Sequence, residues 1–446
     1  MRRPATAGML ALLVVSTGIW AQGTSEAEAG SSEDRCGSDE LAVSTRVDDF
    51  ISFATTCSPR LEAARERWKA ALQRVDQVGV LPDPRLHFGH FIESVETRVG
   101  PQKNRLGVTQ GVPWPSKLRV RRQVAREAAR VAEKAYDAAR VQVLFAVKDA
   151  YYELYYLARA IATTEDNIAL LLHLESVAQA NFTVGAPVSG VVKAQVELGR
   201  LDDQLKSLSA LRSPAVARLN AALGRPASSP VSWPGELIPG TLEVDDEEAL
   251  ASLSDGNPEL LALDHEVDRN ARVVDLARLS FRPDFAFGLD WVDTGEAINP
   301  LLADSGKDPL VAKVSMTVPI WRSKYRAAVR DSEHRREEAR QKREGLGFAL
   351  ESRLELVLFK FHDAERKIDL FRDTLVPLAE ASLEVAQQGY EAGNESFLDV
   401  IDAQRQLLEL QLALERSRVD REQRLAEIEM LAGRPLASRP AQGDQP

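Results

Sequence analysis

Gln110-Gly111-Val112-Pro113-Trp114-Pro115-Ser116-Lys117-Leu118-Arg119 reads as the end of an alternating strand, a Pro-Trp-Pro corner and the start of a long helix. Upstream, Leu106, Val108, Gln110, Val112 and Trp114 share one face at period two. Downstream, residues 116–182 contain no proline and are rich in Ala, Arg, Glu and Leu. A helix of that length would span about 100 Å at 1.5 Å per residue. The passage recurs about 207 residues later, where Met316-Thr317-Val318-Pro319-Ile320-Trp321 leads into Ser323-Lys324-Tyr325-Arg326 and a second long helix.

Other landmarks repeat in the same order. Ser58-Pro59 matches Asn257-Pro258, and Pro84-Arg85-Leu86-His87-Phe88-Gly89 matches Pro283-Asp284-Phe285-Ala286-Phe287-Gly288. Phe182-Thr183-Val184-Gly185-Ala186 matches Tyr390-Glu391-Ala392-Gly393-Asn394, and Gly224-Arg225-Pro226 matches Gly433-Arg434-Pro435. The chain is a tandem duplication, each half reading helix, two strands, long helix, helix. The divisions expected are a signal peptide over 1–21, a partly disordered segment 22–57, a first repeat 58–226, a linker 227–256, a second repeat 257–435 and a disordered tail 436–446. A short helix is expected from Leu41 to Ala54. The first hairpin is expected to close through a loop of roughly 8 to 10 residues, and Pro377 to kink the second long helix.

Composition narrows the class. Charged residues make up 28% and aromatics 6% of 446 residues, a mixture that fits long helices. A net charge of -11 argues against a nucleic-acid binder. Arg2, Arg3 and the apolar run Met9–Ile19 read as an export signal, with Ala21 before the cleavage point. No stretch reaches the roughly 20 apolar residues of a spanning helix. Cys36 and Cys57, in an oxidising compartment, read as a disulfide rather than a metal site. The charged Glu33-Asp34-Arg35 before Cys36 argues against lipidation there.

Four strands with one apolar face (Leu86, Phe88; Leu106, Val108; Phe285, Phe287, Leu289, Trp291; Leu310, Ala312, Val314, Met316) cannot close a barrel alone. In water that face needs a cover, as in a small sandwich. In an outer membrane it would meet lipid, with several chains closing the sheet. Attached to two such long helices, the membrane reading is the stronger.

The ordered set of duplication, Gln110-Gly111-Val112-Pro113 to Lys117-Leu118-Arg119, Tyr390-Glu391-Ala392-Gly393 followed by Asp399-Val400-Ile401-Asp402-Ala403-Gln404, and Leu431-Ala432-Gly433-Arg434-Pro435 resembles the TolC-like outer-membrane efflux protein family. The strand-to-helix passage is similar to its heavy-metal-cation branch. The resemblance implies an α+β fold: long antiparallel helical hairpins forming a tunnel, plus four strands given to a twelve-stranded transmembrane barrel shared by a homotrimer. It implies a passive exit duct in the outer membrane, with helices reaching into the periplasm, joined through a periplasmic adaptor to an inner-membrane pump in tripartite efflux or type I secretion. The turns Gly185-Ala186-Pro187 and Gly393-Asn394 would form the tip where the adaptor docks. A periplasmic helical scaffold or adaptor is the rival reading, disfavoured because the chain shows two equivalent halves.

No catalytic, cofactor or metal set is expected. His87 and His90 fall on opposite strand faces, and His173, His265, His334 and His362 read as isolated. Among Glu391, Glu395, Asp399 and Asp402, threefold repetition could make a cation-favouring ring, with Asp399 and Asp402 the aperture candidates; a solvated helix face is the plainer reading. Asp290 and Lys313 on the polar strand faces read as solvated lining.

Overall fold

The computed structural model describes residues 36, 40–183, 188–299, 301 and 303–438. The expectations for the signal peptide at 1–21, for most of 22–39, and for the tail beyond 438 lie outside the described residues.

The elements follow the duplication. In the first half come α1 (Glu40–Val43), α2 (Val47–Cys57), α3 (Pro59–Val78), β1 (Arg85–Thr97), β2 (Gly100–Val112), α4 (Pro115–Thr183) and α5 (Ser189–Leu223). After β3 (Thr241–Leu242) come α6 (Asp246–Gly256), α7 (Pro258–Leu279), β4 (Phe285–Thr294), β5 (Leu310–Met316), α8 (Arg322–Leu370), α9 (Val376–Glu391) and α10 (Phe397–Ala432). A last strand, β6 (Ala437–Ser438), pairs antiparallel with β3. Helix α6 stands before α7 as α2 stands before α3, so the repeated pattern reaches back beyond the two Pro-capped helices. The region 227–256, read as linker, therefore carries a helix, and its Val231, Trp233 and Leu237 pack into a core.

Local chemistry explains the boundaries. Pro59 and Pro258 occupy first-turn positions, where the missing N–H costs nothing. Asn257 caps α7 by accepting from the N–H groups of Glu259 and Leu260 at 3.0 and 3.1 Å. Both halves end on a glycine in the left-handed region, Gly224 at φ 77° and Gly433 at φ 73°. Each glycine also abuts the start of its own half. A Cβ on Gly224 would lie 2.4 Å from Pro59 Cδ, and one on Gly433 2.2 Å from the Gly256 carbonyl oxygen. The same residue thus stops a helix and seats it on another.

Helix α4 runs 69 residues without a break. It packs against α3, α5, α7 and α10, while α8 packs against α7 and α10. The second long helix is interrupted as Pro377 demands. Phe371–Leu375 widens to a π turn, in which the Val376 N–H reaches the Phe371 carbonyl. That turn accommodates the proline one residue further on, which has no N–H and crowds the carbonyl four residues back.

Two cores repeat each other. Phe50, Leu61, Val147, Tyr151, Tyr152, Leu219 and Leu223 pack around the middle of α4. Leu253, Leu260, Leu354, Phe361, Ile428 and Leu431 do the same around α8. A third core, with Leu171, Leu201, Leu383, Phe397, Val400 and Ile401, joins α4, α5, α9 and α10 near their turns.

The four long strands form one antiparallel sheet in the order β1-β2-β4-β5. One expectation is corrected here. The β1–β2 ladder continues past a register shift after His90 to Thr97↔Gly100, leaving a turn of Arg98-Val99 instead of a long loop. The distal strand ends carry Glu93, Ser94, Glu96 and Thr97, so they show no apolar alternation to read in the sequence.

Candidate functional site: a two-faced sheet and the helical turns

The register places the apolar positions of all four strands on one face. Leu106 is opposite Trp291, Val108 opposite Leu289, Phe287 opposite Val314, and Leu86 opposite Val108. These side chains are uncovered: Phe88 is 69% exposed, Phe287 50%, Val314 69% and Trp321, just past the strand, 70%. A contiguous apolar surface of this kind is not left to water. Among the described residues, both outer strands, β1 and β5, also keep an unpaired edge.

The opposite face corrects the expectation of plain solvation. Asp290 is fully buried. Its Oδ1 lies 2.9 Å from His87 Nε2, its Oδ2 accepts from Arg105 Nε at 2.7 Å, and Lys313 Nζ closes on Oδ2 as well. His87, Arg105, Asp290 and Lys313 come one from each strand. His90, on the other face as expected, meets Asn104 Oδ1 at 2.9 Å through Nδ1, and Asn104 donates to Asp293 at 2.6 Å.

The β2-to-α4 passage of the first half is joined to the α7-to-β4 passage of the second. Lys117 is buried and donates to the Arg282 carbonyl at 2.9 Å and to Asp284 Oδ1 at 2.8 Å; the Trp114 N–H donates to the same oxygen at 2.9 Å. Partial burial pushes the Asp284 carboxyl up, but the Lys117 and Trp114 bonds outweigh it and hold it below the ordinary carboxylate range.

At the other end of the helices, Gly185, Ala186 and Pro187 lie outside the described residues. Gly393 has φ 74°, and the Asn394 N–H donates to the Gly389 carbonyl at 2.8 Å, closing the α9–α10 turn. Tyr390 and Phe397 stack edge-on at 5.2 Å, and Gly190 of α5 sits against both. Asp399 is a helix cap: its Oδ2 accepts from the Ser396 N–H at 3.0 Å and hydroxyl at 2.7 Å, which hold its carboxyl below the usual range. Asp402 is exposed and lies 3.6 Å from Arg405.

The sequence reading missed what ties this end together. Glu197 of α5 is fully buried, with Oε1 accepting from Arg200 Nε at 2.8 Å and Oε2 from Arg405 Nε at 2.9 Å. Burial raises its carboxyl, but the two guanidinium groups prevail and set it below the ordinary value. Beside it, buried Gln404 donates to Asn167 Oδ1 at 3.1 Å, linking α10 to α4. His265 is not isolated either. Its Nδ1 lies 3.4 Å from Glu127 Oε2, and Asp268, three residues on, brings a third donor within 4.8 Å. The spacing His265-x-x-Asp268 is the only hint the sequence holds of this cluster. Neither cysteine is free. Among the described residues no helix is long and apolar enough to cross a membrane.

The fold is shared with solved outer-membrane proteins. VceC from Vibrio cholerae aligns with TM-score 0.73 and 19% identity over 87% of this chain and 96% of its own. CusC aligns at 0.72 and 14%, over 88% and 93%. The Campylobacter jejuni CmeC channel aligns at 0.68 and 13%, over 90% and 87%. A search of curated protein sequences finds no significant match. The outer membrane efflux protein family profile matches residues 51–225 and 249–434, one stretch in each half and together most of the chain. The chain therefore belongs to the TolC-like outer membrane efflux protein family.

Proposed function

We propose that this protein is the outer-membrane exit duct of a tripartite efflux or type I secretion system. Three copies close one twelve-stranded barrel in the outer membrane, and their helices form a tunnel in the periplasm. The observation that carries the reading is the two-faced open sheet: an exposed apolar face, a polar face with a half-exposed cationic row around buried Asp290, and two free edges in the same four strands. Lipid covers the first face, water fills the space before the second, and neighbouring copies satisfy the edges. Exposed Phe348 and Phe359 on α8 supply apolar surface for the helices of an adjacent copy.

The duct is passive and does no chemistry of its own. Energy comes from an inner-membrane pump reached through a periplasmic adaptor. The adaptor docks at the turns around Gly185-Ala186-Pro187 and Gly393-Asn394, and Asp402 supplies an acidic ring at the aperture. The test is conductance of the detergent-extracted protein in planar bilayers. Discrete channel openings that Asp402→Ala makes less cation-preferring support the reading; a protein that stays in the aqueous phase and inserts nowhere contradicts it.

A further inference from the structure

The row on the polar sheet face is a built feature rather than a scatter of wall charges. Gly107 lies opposite both His87 and Asp290 in the ladder. A Cβ at Gly107 would come within 2.2 Å of Asp290 Oδ1 and of His87 Nε2. The missing side chain is what lets the carboxylate of β4 reach across β2 to β1. Asp290 is saturated by His87, Arg105 and Lys313, and is fully buried beneath them. It therefore has no further surface with which to neutralise charge.

The cations are in excess. Arg105 and Lys313 each keep about two-fifths of the side chain in contact with solvent, 40% and 41%. Exposed Arg85 lies on the same face as His87 by strand alternation. Three permanent cations thus stand against one carboxylate, in a chain whose net charge is -11. Arginine carries five N–H donors and lysine three, and one carboxylate consumes only part of that set. The remainder points to a water-facing surface, where a ring of basic side chains favours anions.

Resting on the duct reading above, we propose that His87, Arg105 and Lys313, pinned by Asp290, form an anion-binding constriction in the barrel. It takes solutes bearing several carboxylate or phosphate groups, and free metal cations are disfavoured at this level. Asp290 is a positioning residue: it holds the two long cations at the wall and caps the net charge of the row.

The probe is citrate, read in two ways on the detergent-extracted protein. Calorimetry measures binding to wild type and to Arg105→Gln/Lys313→Gln. Planar-bilayer recordings measure block by citrate added at the barrel side. The expected result is a tenfold or greater rise in the half-blocking concentration for the double variant, with a matching loss of binding heat. A smaller rise is expected for Arg85→Gln, which lies outside the network and tests the charge without disturbing the fold. Asp290→Asn keeps the cations and should lower the half-blocking concentration. Open wild-type channels that citrate neither binds nor blocks, or block equal in all variants, overturn the constriction and leave the duct standing. Citrate binding without any conductance overturns the duct and supports the row.

Discussion

Lys117 Nζ lies 2.8 Å from Asp284 Oδ1, and this pair fastens the strand-to-helix passage of the first half to the helix-to-strand passage, between α7 and β4, of the second. The lysine is buried and the carboxylate half-buried, so the pair is only partly screened. Lys117→Met should cost about 2 kcal/mol, the scale of hydrogen bonds to a charged partner. Asp284→Asn should cost at least as much: the Trp114 N–H and Lys117 keep an acceptor, but the buried ammonium loses its counter-charge. Denaturation of the single and double variants measures the coupling, expected at about 1–2 kcal/mol.

The same geometry predicts how copies meet. Lys324 occupies the place of Lys117 in the second half, yet its ammonium lies 5.9 Å over the Tyr325 ring, and among the described residues it pairs with no carboxylate. If β5 pairs with β1 of the next copy as β2 pairs with β4, Lys324 comes beside the Asp83-Pro84-Arg85 approach to that strand. Arg85→Cys/Lys324→Cys should therefore cross-link with a short bismaleimide into species of two and three chains on a denaturing gel. A purely intramolecular product is the opposing result.

Glu197 is the carboxylate whose loss should loosen the tip. Glu197→Gln leaves Arg200 and Arg405, both about half-exposed, free to hydrate, so the cost should be about 1–3 kcal/mol. The readout is a higher open probability in bilayers and faster proteolysis near residues 390–400. Its folded carboxyl lies below the unfolded value of about 4.3. The stabilisation is thus fully present above that value and is lost as pH falls through the depressed folded pKa. Channel closure should be flat from pH 8 to 5 in this respect and weaken only in stronger acid, a dependence Glu197→Gln should abolish.

His362 has the opposite sign. Its bond to Asp246, 2.9 Å away, raises it above the ordinary histidine range despite partial burial, with Glu365 adding to the effect. The attachment of α6 to α8 is therefore strongest below about pH 6.5 and fades as pH rises through the raised folded value. Half-exposure of both partners limits the contribution to about 0.5 kcal/mol. Hydrogen exchange of residues 246–256 at pH 6 and pH 9 measures it; His362→Ala should remove the difference.

We propose that Cys36 and Cys57 pair with each other; such a bond would close a loop of about 20 residues, worth about 3 kcal/mol in the chain-entropy picture. Reduction, or Cys57→Ser, should lower resistance to denaturation by that order and free the helix Val47–Cys57 to exchange. Unchanged exchange on reduction contradicts the pairing.

The duplication, the strands and the long helices were legible because period-two and 3.6-residue patterns are punctuated by Gly and Pro at matching places. Pro377 announced the interruption before α9, although not its form as a π turn. What escaped depends on partners far along the chain. Lys117 reads as a solvated helix-start lysine until Asp284 is brought to it, and Glu197 and Arg405 are 208 residues apart. Asp290 looks like lining until three other strands are laid beside it. The tight β1–β2 turn was missed because polar strand ends lack the alternation that marks a buried face.

The most direct test of the account is the mass of the protein extracted from outer membranes, measured by light scattering in detergent and corrected for bound detergent. Closure of the sheet by three copies predicts a mass three times that of the mature chain. A monomer that remains in solution without detergent would contradict it, leaving the apolar sheet face to be covered in some other way.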